Sequence, residues 1–336
     1  MAGGQSWTGA DGPAHTTSGY DLRPLSTGEV LDRTFQLYRS RFALFASLAA
    51  LPAAVQFVSG TLQILLTTSE HVTHGLHITV VSRPILSGII VVAGLLVYFV
   101  FYGITQAATT WAVAEIYLGK PASARIAWNT AIAHWLRYVL VTLRQYWSIA
   151  WWPMLAFGMF LAVVVLVPRL SGGTVIAAGI FSFIFGLQIL ASCIYAIYAA
   201  IRVSLAIPAS VLESLGANAA VRRSAGLLTQ RKGRIFLLGL LIVAMSMIVG
   251  IVFSPLTFLA FRAHGAERYI LQMIQLVGTF FSRLLVAPVA AIALCLFYLD
   301  ERVRHEGFDI EFLMLRAGGA PTANPPGEAN PSPEPA

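Results

Sequence analysis

The residues in this chain best suited to chemistry are few and widely spread. Glu70, His71, His74 and His77 form an E-H-x-x-H-x-x-H run. His71 and His74, three apart, would share one helical face and offer two imidazoles to a divalent metal. The order differs from the H-E-x-x-H of a zinc peptidase. Gly75 also disfavours a helix reaching His77. The expectation is a solvated cluster of loop histidines whose only metal chemistry is weak zinc or copper binding, with no cofactor. Cys193 and Cys295 lie in two different apolar segments. They read as packing residues rather than a disulfide or a metal pair.

Arginine is the more informative residue type. Arg144, Arg202 and Arg283 lie within apolar segments. A mid-bilayer arginine costs at least ~2.5 kcal/mol, so each must snorkel to the surface or find a partner. The fifteen Asp and Glu residues all fall outside the deep parts of those segments, which weighs against a proton-coupled carrier built on buried carboxylates. Arg137, Arg144, Arg202 and the cluster Arg231, Lys232 and Arg234 therefore read as a basic rim that no intramembrane carboxylate neutralises. Guanidinium meets phosphate with two hydrogen bonds, so the expected ligand is an anionic phospholipid. The structural alternative is that these arginines only snorkel and enforce topology. Arg283 either marks the outer boundary of a short last span or faces the bundle interior. In the second case Gln106, Gln145, Gln188 and Gln275 would complete a polar lining, although scattered glutamines serve equally as partners between helices.

Nucleophile and metal motifs are absent. The chain has no HExxH, GxSxG, Walker A or CxxC pattern, each of which would carry a recognisable mechanism. His134 stands beside Trp135 and reads as an interfacial anchor. The expectation is a protein that is not an enzyme.

The elements that position these residues are hydrophobic helices. Hydrophobic residues make up 57% of the 336 and charged residues 11%, against about 25% charged in a soluble domain. This is the composition of an all-α integral membrane protein. Six spans are expected, at roughly 42–66, 85–113, 138–167, 174–207, 235–261 and 270–299, most exceeding the ~20 residues needed to cross hydrocarbon. Fifteen Lys and Arg fall on one side of these spans and four on the other. The positive-inside rule then puts both termini in the cytoplasm, and the net charge of +7 reports topology and attraction to anionic lipid rather than nucleic acid.

The spans recur in pattern. Arg41, Arg137 and Arg234 stand 96 and 97 residues apart, each closing a polar stretch and opening an apolar one. Three repeats are expected, near 20–114, 115–215 and 216–316, each an amphipathic helix followed by a helical hairpin. In the first, Ser26 and Glu29 have capping-box spacing, and Leu31, Phe35 and Tyr38 would form the apolar face. The second begins near Ser123 and carries Ile126, Trp128 and Trp135; the third begins near Asn218 and carries Val221, Leu227 and Leu228. These helices would rest in the headgroups or form a cytoplasmic collar that docks a partner. Glu115, Glu213 and Glu301 precede glycines near the ends of the even-numbered spans and read as helix punctuation. Residues 1–19 and the Pro-rich 317–336 read as disordered.

The run Leu22-Arg23-Pro24-Leu25-Ser26-Thr27-Gly28-Glu29-Val30-Leu31-Asp32-Arg33-Thr34-Phe35-Gln36-Leu37-Tyr38-Arg39 resembles the opening of bacterial glycerophosphoryl diester phosphodiesterase membrane-domain proteins. The closing run Tyr298-Leu299-Asp300-Glu301-Arg302-Val303-Arg304-His305-Glu306-Gly307-Phe308-Asp309 is similar as well. The resemblance, over roughly 20–316, implies a multi-span helical domain in a bacterial inner membrane and supplies no catalytic residues. A phosphodiesterase barrel needs about 250 residues, and no segment between spans approaches that. The expectation is a non-enzymatic scaffold or accessory subunit holding membrane lipids and an unidentified membrane or cytoplasmic protein; the alternative is the membrane subunit of a transporter.

Overall fold

The computed structural model describes residues 26–68, 82–170, 175–228, 232–263 and 266–306. Among them there are helices and no strands. The order is α1 (Thr27–Ser40), α2 (Phe42–Thr68), α3 (Ser82–Tyr117), α4 (Ala124–Ala133), α5 (Trp135–Leu170), α6 (Val175–Val203), α7 (Ala206–Leu212), α8 (Ala217–Leu227), α9 (Lys232–Arg262) and α10 (Ala266–Glu306). A short helix followed by two long ones occurs three times, with the single-turn-scale α7 added after α6. Residues 1–25 and 307–336, the histidine run 70–77 and Arg231 lie outside the described residues.

The junctions follow from local chemistry. Ser26 caps α1: its hydroxyl accepts from the Glu29 N–H at 3.2 Å, and its own N–H donates to Glu29 Oε2 at 2.6 Å. That reciprocal pair satisfies two orphan donors of the first turn. Ser123 caps α4 through the Ile126 N–H. Arg41 leaves helical geometry for one residue between α1 and α2, and His134 does the same between α4 and α5. Arg137 and Arg234 are each the third residue of a long helix.

Among the described residues, five helical stretches are long and apolar enough to cross a membrane: Phe42–Leu66, Ile85–Tyr117, Phe183–Leu212, Gly233–Ala260 and Ala266–Arg304. Helix α5, whose 36 residues would extend about 54 Å, is described in full only through its first part, since the side chains of 163–170 lie outside the described ones. Its first half carries Arg137, Arg144, Gln145 and the tryptophans Trp135, Trp147, Trp151 and Trp152, which suit an interface better than hydrocarbon. It pairs along its length with α6 as a hairpin, as α2 does with α3 and α9 with α10.

The core lies at the end of the bundle where the short helices gather, called here the basic end. Val30, Phe45, Leu48, Ile104, Val113, Ile292 and Leu296 form one cluster there. Leu205, Leu228, Leu238, Phe297 and Tyr298 form a second. The first and third helix sets join along α2 and α10, and the first and second along α3 and α5. Gly103 permits that second approach: a Cβ there would stand 2.8 Å from Thr142 Oγ1.

In α1 and α4 the buried face lies beside the one that carries the largest apolar residues, whereas α8 buries Leu227 from its expected apolar set. In α1 the buried residues are Val30, Thr34 and Leu37, one position round from Leu31, Phe35 and Tyr38, and Phe35 is exposed. In α4 Ala127 and Ala131 are buried while Ile126 points outward, as does Trp135 at the start of α5. In α8 Ala220, Ser224 and Leu227 are buried. The physical reason is that lipid accepts large apolar side chains as readily as a core does, whereas close helix packing selects small ones.

Candidate functional site

Three arginines converge on a cleft of about 530 Å³ between α5, α6 and α8. Arg144 comes from α5, Arg202 from α6 and Arg222 from α8. Each helix delivers its share by periodicity. Arg144, Ser148 and Trp151 are spaced i, i+4, i+7 along α5; Tyr195, Ala199 and Arg202 repeat that spacing on α6; Asn218 and Arg222 are one turn apart on α8. Each set therefore forms one stripe on its helix.

The guanidinium of Arg144 is held from both sides. Its Nε donates to Asn218 Oδ1 at 3.1 Å and its NH1 to Ser148 Oγ at 2.7 Å. The aromatic wall is also fixed: the Trp151 indole N–H donates to the Tyr195 hydroxyl, which donates onward to the Ser148 carbonyl at 3.0 Å. The side chains of Arg202 and Arg222 have no hydrogen-bond or ion-pair partner among the described residues, and no carboxylate lines the cleft. Three like charges brought together in this way repel one another. A bound anion removes that repulsion and gains charge-assisted hydrogen bonds.

The other members of the expected rim lie elsewhere. Arg137 donates to the Ser214 carbonyl at 3.4 Å and to the Tyr138 hydroxyl at 2.9 Å. Arg234 corrects the expectation of an unneutralised rim: it pairs with Asp300 at 3.0 Å and Glu301 at 3.1 Å. Its Nε also reaches Thr27 Oγ1 at 3.3 Å. Glu301 and Asp300 are buried, so they are more than helix punctuation. The folding of α10 back onto α1 and α9 brings these acids to the arginine, a contact that sequence distance concealed. Arg234 thereby links the two runs that carry the family resemblance. Lys232 opens α9, and its side chain lies outside the described ones. Glu213 has a similar set of partners: Arg223 grips it with Nε and NH2 at 2.9–3.1 Å, Arg302 stands at 3.7 Å, and the Tyr298 hydroxyl donates to it.

Arg283 turns toward α3. Its NH1 donates to the Tyr98 hydroxyl at 2.9 Å and its guanidinium lies 5.5 Å from the centre of the same ring. Helix α10 continues unbroken on both sides of it. Gln106 and Gln145 line one interior cavity, whereas Gln188 lines neither that cavity nor the cleft. Cys193 and Cys295 are not joined, the first exposed and the second buried. Among the described residues no three of His, Cys, Asp or Glu gather as metal ligands, and Glu70, His71, His74 and His77 lie outside that set. Comparison with protein-family models, curated proteins and solved structures found no match.

Proposed function

We propose that this chain is a non-enzymatic polytopic membrane protein that holds the phosphate of an anionic phospholipid in the Arg144–Arg202–Arg222 cleft. The observation that carries the reading is the convergence of three guanidiniums on one cleft with no carboxylate in its lining. Arginine is suited to this task because its planar fork offers paired donors to phosphate oxygens. The surrounding Trp147, Trp151, Tyr195 and Tyr198 have the amphipathic rings favoured at the membrane–water boundary. In this reading α5 is the sixth span, the basic end and both termini are cytoplasmic, and the membrane is a bacterial inner membrane. The protein then serves as a scaffold or accessory subunit with lipid as a fixed component. The likeness of its opening and closing runs to glycerophosphoryl diester phosphodiesterase membrane-domain proteins supports the same class.

Native mass spectrometry of protein extracted from membranes tests the proposal. Wild type is expected to retain anionic phospholipid, and the variant Arg144→Gln with Arg202→Gln and Arg222→Gln to lose most of it. Equal retention by both proteins overturns lipid capture in the cleft and leaves these arginines a topological role.

A further inference from the structure

A second, smaller cavity lies behind the cleft, on the other side of the α5–α6 hairpin. It measures about 190 Å³ and is lined from α3, α5, α6, α7 and α10, so all three helix sets contribute to its wall. From α5 the cleft takes Arg144, Ser148 and Trp151 and the cavity takes Gln145, Tyr146 and Ile149, which places the two on opposite faces of that helix. The lining is mixed. Tyr102, Gln106, Thr110, Gln145, Tyr146 and Ser204 bring amides and hydroxyls to it, and residues such as Ile149, Ile207, Pro208 and Leu294 form an apolar wall beside them.

Polar groups set among apolar helices cost free energy unless they are hydrogen-bonded. Part of this set packs on itself: the Tyr102 and Tyr146 rings lie 6.2 Å apart, centroid to centroid. The amide of Gln145 has no hydrogen-bond partner among the described residues. It brings two donors and a two-lone-pair acceptor to the cavity wall. The other polar lining side chains, hydroxyls and one amide, can each donate and accept, and the rest of the lining is apolar. No carboxylate, ammonium, guanidinium or imidazole lines the cavity. Arg283 stands close by, bonded to Tyr98, whose ring stacks on Tyr102 at 5.7 Å between centroids. Its positive charge disfavours a cation nearby, and a lining without charged donors offers an anion little in exchange for its hydration.

We infer that this inter-unit cavity is a binding site for a small uncharged polar solute, an amide or polyol of a few heavy atoms, oriented by Gln145 and Gln106. The inference is independent of the lipid reading, since the two cavities share no lining residue.

Saturation-transfer difference NMR on the full chain in phosphatidylcholine nanodiscs tests it, because the method detects weak ligands. The probes are acetamide and glycerol, with acetate and ethylammonium as charged counterparts of similar size. Acetamide or glycerol is expected to give a saturable signal that falls at least fivefold in Gln145→Leu, which keeps the side-chain size and removes the amide. Acetate and ethylammonium are expected to give little signal. Ala291→Met, which fills the cavity from α10, should abolish the acetamide or glycerol signal as well and serves if Gln145→Leu does not fold. Absence of signal from both neutral probes in wild type, or a signal unchanged by the variant that folds, overturns the inference and leaves a cavity that holds water alone. A response to acetate or ethylammonium as strong as that to the neutral probes overturns the assigned ligand class.

Discussion

Arg234 and Glu301, 67 residues apart in sequence, form an ion pair of 3.1 Å in which the carboxylate side chain is fully buried. Asp300 binds the same guanidinium at 3.0 Å and is shared with Arg304, also at 3.0 Å. Among the described residues this group joins Arg234 and Arg304 to Asp300 and Glu301 and holds α9 and α10 together at the basic end. Replacing Arg234 by Leu removes one partner from each of two buried carboxylates, and loss of one partner from such a pair costs about 3–5 kcal/mol. Arg234→Leu is expected to lower the unfolding temperature sharply in detergent. Combining it with Glu301→Gln should restore part of the loss, giving a coupling energy of at least about 1 kcal/mol in a double-mutant cycle. Additive losses would show that the pair is not coupled.

The Glu213 cluster should behave more mildly. Arg223 supplies its bidentate contact, but Arg302 and the Tyr298 hydroxyl remain if Arg223 is removed. Arg223 is also partly exposed, at 30% of its side-chain surface, so water screens the pair. Arg223→Ala is expected to cost about 1 kcal/mol, clearly less than Arg234→Leu measured in the same unfolding assay. A loss as large as that of Arg234→Leu would mean that Arg302 and Tyr298 do not support the carboxylate.

Local features were legible in the sequence and long-range ones were not. The capping box at Ser26 and Glu29, the junctions at Arg41 and His134 and the long apolar helices all depend on neighbours within a few residues. Arg144 and Arg202 could be singled out because charge is costly in apolar segments, and the fold brings both to one cleft. Arg222 was counted only toward topology. Its turn-spacing from Asn218 was the available signal, but nothing local says which helix that stripe faces. The partners of Arg234 and Arg283 lie 66 or more residues away, beyond any periodicity argument. Which residues of α1 and α4 face the bundle was not legible, because large apolar residues mark the core of a soluble helix but serve lipid equally well here.

Close packing at Gly103 gives a third test. A Cβ at this position would meet Thr142 Oγ1 at 2.8 Å and the Tyr138 carbonyl at 3.3 Å. That hydroxyl is itself bonded to the Tyr138 carbonyl at 2.9 Å, so it cannot withdraw without losing its acceptor. Gly103→Val is expected to destabilise the protein by about 1–3 kcal/mol, the range for overpacking. The double variant with Thr142→Ala should recover part of this in thermal unfolding. An undiminished unfolding temperature for Gly103→Val alone would mean that α3 and α5 do not approach so closely.

Orientation in the membrane is the last test, and it turns on the loop between α3 and α4. Lys120 is well exposed, with 61% of its side-chain surface accessible, and lies at the basic end with Arg125 and Arg137. Ala263 follows α9 at the opposite end of that helix from Arg234. The charge asymmetry predicts the first position inside the cell and the second outside. In a background carrying Cys193→Ala, Lys120→Cys should react with a membrane-impermeant maleimide in inverted vesicles and not in intact cells. Ala263→Cys should show the reverse. Cys295 can remain because it is fully buried. The two positions also check α5: if it crosses, a cysteine at Ser214, beyond α6 and exposed, must label from the same side as Lys120→Cys. Labelling of Ser214→Cys from the outside would remove one span and reverse the placement of everything after it. Labelling of Lys120→Cys from the outside would invert the whole assignment and remove the arginine cleft from the anionic cytoplasmic leaflet.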